Sequence, residues 1–170
     1  MKPLHKGLLL AALHLALISS LGAKLLVDRA RLPRVWVKTA SFDPDLPIRG
    51  RYVSLGLLVK VEKGSTSREP GYGGPATLTV KDGQLVAVLS EPPTGIRVWA
   101  NPRRGTPESL ETGRLDKPVT FFIPEHVPDP SWRPPDEELW VEVTVPKKGP
   151  PRPIRLGVKK AGVLSPLALD

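Results

Sequence analysis

Apolar and polar positions divide this chain into two regimes. From Gly7 to Ala23 the sequence GLLLAALHLALISSLGA runs without a charge, and Leu25 to Val27 prolong the apolar stretch beyond Lys24. At 1.5 Å per residue, with Lys24 snorkelling, such a helix reaches about 30 Å, the thickness of a bilayer's hydrocarbon core. The pattern predicts a transmembrane anchor over 7–27, with a basic tail over 1–6 before it and a basic connector over 28–34 after it. A cleaved signal peptide is the competing reading, since the charged start, the apolar stretch and the small residues Ser19, Ser20, Gly22 and Ala23 suit one equally. His14, in mid-span, is either a proton or partner site or a neutral side chain satisfied locally.

Beyond the connector the period changes to two. RVWVKTA (34–40) alternates strictly, placing Val35 and Val37 on one side and Trp36 and Lys38 on the other. Tyr52 to Glu62 is more continuously apolar, as in a strand buried on both faces or crossing between sheets. In ATLTVKDGQLVAVLS, Asp82-Gly83 predicts a two-residue hairpin that pairs Lys81 with Gln84 and Val80 with Leu85. That register puts Leu78, Val80, Leu85 and Ala87 on one face and Thr79, Lys81, Gln84 and Val86 on the other. Further strands are expected at Ile96–Ala100, Val119–Ile123, Leu139–Val145 and Ile154–Lys159, with Val141, Val143 and Val145 inward and Glu142 and Thr144 outward. PKKGPPRP reads as a stiff hairpin connection, and 63–75 and 101–118 as excursions. The expected fold is mainly β: a small antiparallel β-domain over 35–164 with a tail over 165–170, preceded by a single transmembrane helix.

Composition narrows the chemistry. The 21 prolines, scattered between apolar runs, favour short strands and stiff loops over long helices. Without cysteine there is neither a disulfide framework nor a thiolate metal site. With His5 and His14 in the anchor region, only His126 remains in the body, so a multi-histidine metal centre is excluded, and no loop has EF-hand spacing. GYGG is neither a Walker loop nor a dinucleotide fingerprint, and no cofactor or small-molecule ligand is expected. One Asn and one Gln beside many Pro, Arg, Lys and Glu resemble thermophile usage. The net charge of +8 suits an anionic lipid or envelope polymer, but the basic residues interleave with 17 acids and the few aromatics sit in strands, so no nucleic acid is expected.

One catalytic reading centres on SFDPDLPIRG, which resembles the Ser-containing box of membrane-anchored signal peptidases. The resemblance implies Ser41 as nucleophile and a desolvated lysine, Lys60 or Lys81, as general base. Arg51 stands where that box has an acid, and no second box bearing the lysine follows.

A broader resemblance runs through GRYVSLGL (Gly50–Leu57), FFIPE (Phe121–Glu125) and the closing VEVTV…IRLGVKKAG. In order and spacing these are similar to the GDYXXLXY domain family of bacterial membrane-anchored proteins. Arg51 and Leu57 replace that family's Asp and Tyr. The resemblance implies a single-pass anchor and a small β-rich domain, sometimes found with multi-pass membrane domains, and carries no established catalysis. The residues themselves read as an architectural corner: Asp43 and Asp45 flank Pro44 in a stiff turn, and Gly50 opens the strand that Tyr52, Leu55 and Leu57 bury. The sharper reading makes Asp43, Asp45, Arg49, Arg51, Tyr52 and Glu125 a binding set. The expectation is therefore a single-pass cell-membrane protein with an extracytoplasmic body acting as an interaction module. The Ser41 peptidase is the alternative, and a binder of anionic polymer or lipid surface the second alternative.

Overall fold

A computed structural model describes residues 3–41, 52–62, 74–89, 95–100 and 112–169. The chain divides between Leu32 and Pro33 into two units, each made by one of the two patterns.

The first is α1 (Pro3–Arg31), a single 29-residue helix about 43 Å long at 1.5 Å per residue. Residues His5–Arg31 are long and apolar enough to cross a membrane, so the helix suits a single-pass anchor or a signal sequence. It also runs through much of the stretch read as connector. Its polar side chains are served from within: His14 Nδ1 hydrogen-bonds the carbonyl of Leu10 at 2.8 Å, and Ser20 Oγ donates to the carbonyl of Leu17 at 2.8 Å. Such bonds lessen the cost of polar atoms in lipid. Arg29 and Arg31 in the last turn complement the negative end of the helix dipole.

Among the described residues the second unit holds ten strands: β1 (Arg34–Ser41), β2 (Tyr52–Glu62), β3 (Gly74–Lys81), β4 (Gln84–Leu89), β5 (Arg97–Ala100), β6 (Thr112–Leu115), β7 (Val119–Phe122), β8 (Glu137–Thr144), β9 (Arg152–Lys160) and β10 (Val163–Pro166). The C-terminal half of β2 closes a five-stranded barrel in the order β2-β4-β3-β5-β6 and back to β2. Its N-terminal half pairs with β7 on one side and β1 on the other. From β1 the sheet continues through β8 and β9 to β10. The continuous apolar run of β2 follows from this double membership: residues 53–57 are all buried, on both faces of the strand, because the strand crosses from sheet to barrel.

The Asp82-Gly83 hairpin forms in the expected register, with Asp82 and Gly83 at φ 50° and 71° as a type I′ turn requires. Other expectations need correction. The body is not strictly antiparallel, for β4 runs parallel to β2, with Lys60 opposite Val86 and Glu62 opposite Val88. Barrel closure sets this: β3 lies beyond β4, so β4 meets β2 in the direction that the hairpin imposes. Val86 is buried although its face was expected to be polar, since β4 is an inner strand between β2 and β3. Glu142 and Thr144 do alternate with the inward valines, yet both are buried. The Arg155 side chain bonds Glu142, and Thr144 Oγ1 donates to the carbonyl of Arg152 at 3.4 Å. β6 falls inside the excursion expected over 101–118, and β10 crosses the boundary placed at 164–165. Beyond β10, Leu167 and Leu169 pack on the core, and Leu167 N donates to Leu156 O at 2.9 Å.

Candidate functional site

Register defines two ends of the outer sheet. Arg34 pairs with Thr144 and Lys38 with Trp140; Glu137 pairs with Lys160, and Lys160 with Val163. Ser41 pairs with Leu55, and Tyr52 with Phe122. One end therefore gathers the last residue of β1, the first of β2, the last of β7, the first of β8, the last of β9 and the first of β10. An eight-residue strand spans about 26 Å, and the chain comes into the domain at Pro33, at the opposite end of β1.

This far end carries apolar side chains that the fold leaves to solvent. Phe122 is 75% exposed, Trp132 85% and Val163 67%. Phe122 meets Tyr52 edge-on, ring centroids 6.3 Å apart, a favourable aromatic geometry. Trp132 stands on the connection from β7 to β8, whose backbone is fixed by its own bonds. Ser131 N donates to Asp129 Oδ1 at 2.8 Å, Arg133 Nε to Pro130 O at 3.0 Å, and Glu137 N to Pro134 O at 3.0 Å. The indole is thus presented on a pre-ordered support.

Beneath the connection lies a groove of about 270 Å³ lined by Lys38, Thr39, Leu55, Arg133, Glu137 and Leu139 among others. Its charges are mutually compensated. Lys38 pairs with Glu138, Arg133 Nη1 lies 3.5 Å from Glu137 Oε2, and Lys160 Nζ lies 3.1 Å from Glu137 and 3.2 Å from Asp136. The hydrogen bond from Lys160 holds the Asp136 carboxyl below its ordinary pKa, and the hydrogen bond from Lys38 does the same for Glu138 against a smaller burial effect. Glu137 and Asp136 in turn raise the pKa of Lys160. These pairs tie β8 to β1 and the connection to β8 and β9, and a partner docking here meets a neutral, pre-paired rim.

Of the binding set read from the sequence, Tyr52 and Glu125 come to this end. Glu125 is exposed in the turn after β7, closed by Val127 N donating to Pro124 O at 3.2 Å. Asp43, Asp45, Arg49 and Arg51 lie outside the described residues. The catalytic set does not converge by register. Ser41 is opposite Leu55, whereas Lys60 is five residues farther along β2, opposite Val86 and Thr112, about 17 Å away at strand rise. Lys81 is at the hairpin tip and pairs with Glu62. Among the described residues no three His, Asp or Glu side chains group as a metal site would need.

Sequence reasoning passed over Phe122 and Trp132. The available signals were the second Phe of FFIPE and an aromatic embedded in DPSWRPP, a stiff polar loop with no core to fill. No family model, curated protein or solved structure matches this chain.

Proposed function

We propose that this chain is a single-pass, membrane-anchored interaction module whose β-body offers the end formed by Tyr52, Phe122, Glu125 and Trp132 to a partner, as an accessory subunit beside a multi-pass membrane protein. The observation that carries the reading is the exposure of Phe122 and Trp132 at one end of the sheet. Large aromatics left to water on an ordered support are the usual anchors of protein interfaces, because their burial is deferred to the complex. The helix of membrane-spanning length supports the anchoring, and the ordered resemblance to GDYXXLXY domains supports the accessory role. The positively charged start followed by an apolar stretch supports an extracytoplasmic body.

The test is purification of the full chain from its native membranes in mild detergent after brief crosslinking, with mass spectrometry of what accompanies it. A stoichiometric multi-pass partner is expected. Trp132→Ala and Phe122→Ala each weaken its retention by about 30-fold, the size of an interface hot spot, whereas Ser41→Ala leaves it unchanged. A monomer that retains nothing overturns the reading, and loss of precursor processing in Ser41→Ala would replace it with the peptidase.

A further inference from the structure

One polar side chain of α1 is only half served. The uncharged run from Gly7 to Ala23 holds His14, Ser19 and Ser20, and His14 stands about 10 Å from its first residue and about 14 Å from its last along the helix axis. The ring's Nδ1 bonds the Leu10 carbonyl at 2.8 Å. A carbonyl oxygen only accepts, so Nδ1 carries the proton of the neutral imidazole, and Nε2 is left as a lone pair on an exposed side chain. Water would serve that lone pair. At this depth in a bilayer the acyl chains offer no donor, the imidazole is too short to reach either interface, and charging the ring is costly. The ring also marks a face. Gly7, Ala11, His14, Ile18, Leu21 and Leu25 recur at steps of four and three residues, one seam of a helix. A helical side chain covers the turn N-terminal to its own Cα, which here is the turn of Leu10 and Ala11. Next along the seam, a Cβ at Gly7 would meet nothing within 4 Å, and small residues at such positions let another backbone come close.

We infer that this seam docks against a membrane-spanning helix of a different protein, which gives His14 Nε2 a hydrogen bond from an uncharged donor at mid-membrane depth: a hydroxyl, a carboxamide or an indole N–H. Hydrogen-bond complementarity selects that occupant over a second copy of this chain. Copies of one chain insert in one direction, so their His14 rings lie at one depth. Two rings whose protons are both committed to Leu10 would meet lone pair to lone pair. The hydroxyls of the run, on Ser19 and Ser20, are about 7.5 Å and about 9 Å farther along the axis, and Ser20 already donates to the Leu17 carbonyl. The inference rests on the reading of α1 as an anchor beside a multi-pass partner, and it names the chemistry by which that partner is recognised inside the bilayer.

In the full chain, a diazirine amino acid is placed at Ile18, on the seam, or at Ala16, which at about 100° per residue lies on the opposite face. Native membranes are irradiated and the adducts sequenced by mass spectrometry. Adducts from Ile18 and few from Ala16 are expected, on one membrane-spanning helix that bears a donor residue within a turn of the adduct. His14→Leu lowers the Ile18 adduct about 3- to 20-fold, the range of an interhelical hydrogen bond, whereas His14→Gln, whose side-chain carbonyl accepts, keeps it. Leucine suits a membrane helix, so the variant still inserts. An Ile18 adduct that survives His14→Leu, equal adducts from the two faces, adducts to lipid alone, or an adduct to a second copy of this chain overturns the inference. The mass of the chain and its resistance to alkaline extraction read the anchor separately. A chain shortened within the helix, or released by alkali, removes the anchor and the inference with it. An intact, retained chain without the Ile18 adduct overturns the inference alone, and leaves the aromatic end to be judged by Trp132→Ala and Phe122→Ala.

Discussion

Gly113 on β6 has no room for a side chain. A Cβ there would stand 2.4 Å from Val98 Cγ1 and 2.7 Å from Val61 Cγ2, inside the barrel wall. Gly113→Ala is expected to lower stability by about 1–3 kcal/mol through overpacking, read as a lower denaturant midpoint at unchanged slope. Gly157 is restricted differently: its missing Cβ lets the Trp36 ring lie 2.7 Å from where that atom would be. A side chain there displaces the ring over which Arg155 sits. The carboxylates at the far end give a pH dependence. Asp136 and Glu138 have pKa values lowered in the folded protein by Lys160 and Lys38. Their contribution is complete above the ordinary values of 3.8 and 4.5 and is lost as pH falls through the lowered ones. Lys160, raised by Glu137 and Asp136, contributes fully below its ordinary 10.5 and stops contributing as pH rises through the raised value. Amide exchange over 123–136 is therefore expected to quicken relative to the barrel strands below pH about 4, and again in strong alkali.

At the scale of elements, legibility tracked how local the determining physics is. Asp82-Gly83 declares its turn because both residues tolerate positive φ, and Gly83→Ala, at φ 71°, is expected to cost about 1 kcal/mol in thermal unfolding while preserving the hairpin register. The turn from β9 to β10 has the same left-handed pair at Ala161 and Gly162, φ 49° and 84°. Ala gives no such signal in sequence, so no strand was expected at β10. TGRL is too short and too polar to announce β6, and its strand character comes from β2 and β5 on either side. The parallel β2–β4 pair was equally illegible, since alternation reports which face a residue takes and nothing about its neighbour's direction. The candidate site divides likewise. Tyr52 and Glu125 were singled out from motifs, whereas Phe122 escaped notice because Phe121 beside it is also aromatic and alternation cannot choose between them. Trp132 depends wholly on how a proline-rich connection is draped.

The whole body is tied together by β2. Leu55 and Leu57 are 1% and 0% exposed at the crossing from sheet to barrel, so neither half keeps its central strand without the other. Leu57→Ala is expected to cost about 2–5 kcal/mol and to lower exchange protection in β4 and β6 together with β8 and β9, in one cooperative transition. A transition that split into two would contradict the shared strand.

The far-end aromatics and Pro33 lie at opposite ends of the same strands. A load applied between a membrane-held Pro33 and a partner gripping Trp132 would therefore run lengthwise along β1 and β8. The bonds pairing Arg34–Lys38 with Trp140–Thr144 would be sheared all at once instead of unzipped singly. A sheet loaded in that direction resists force far better than one peeled from its edge, so this body is suited to bear tension along β1 and β8.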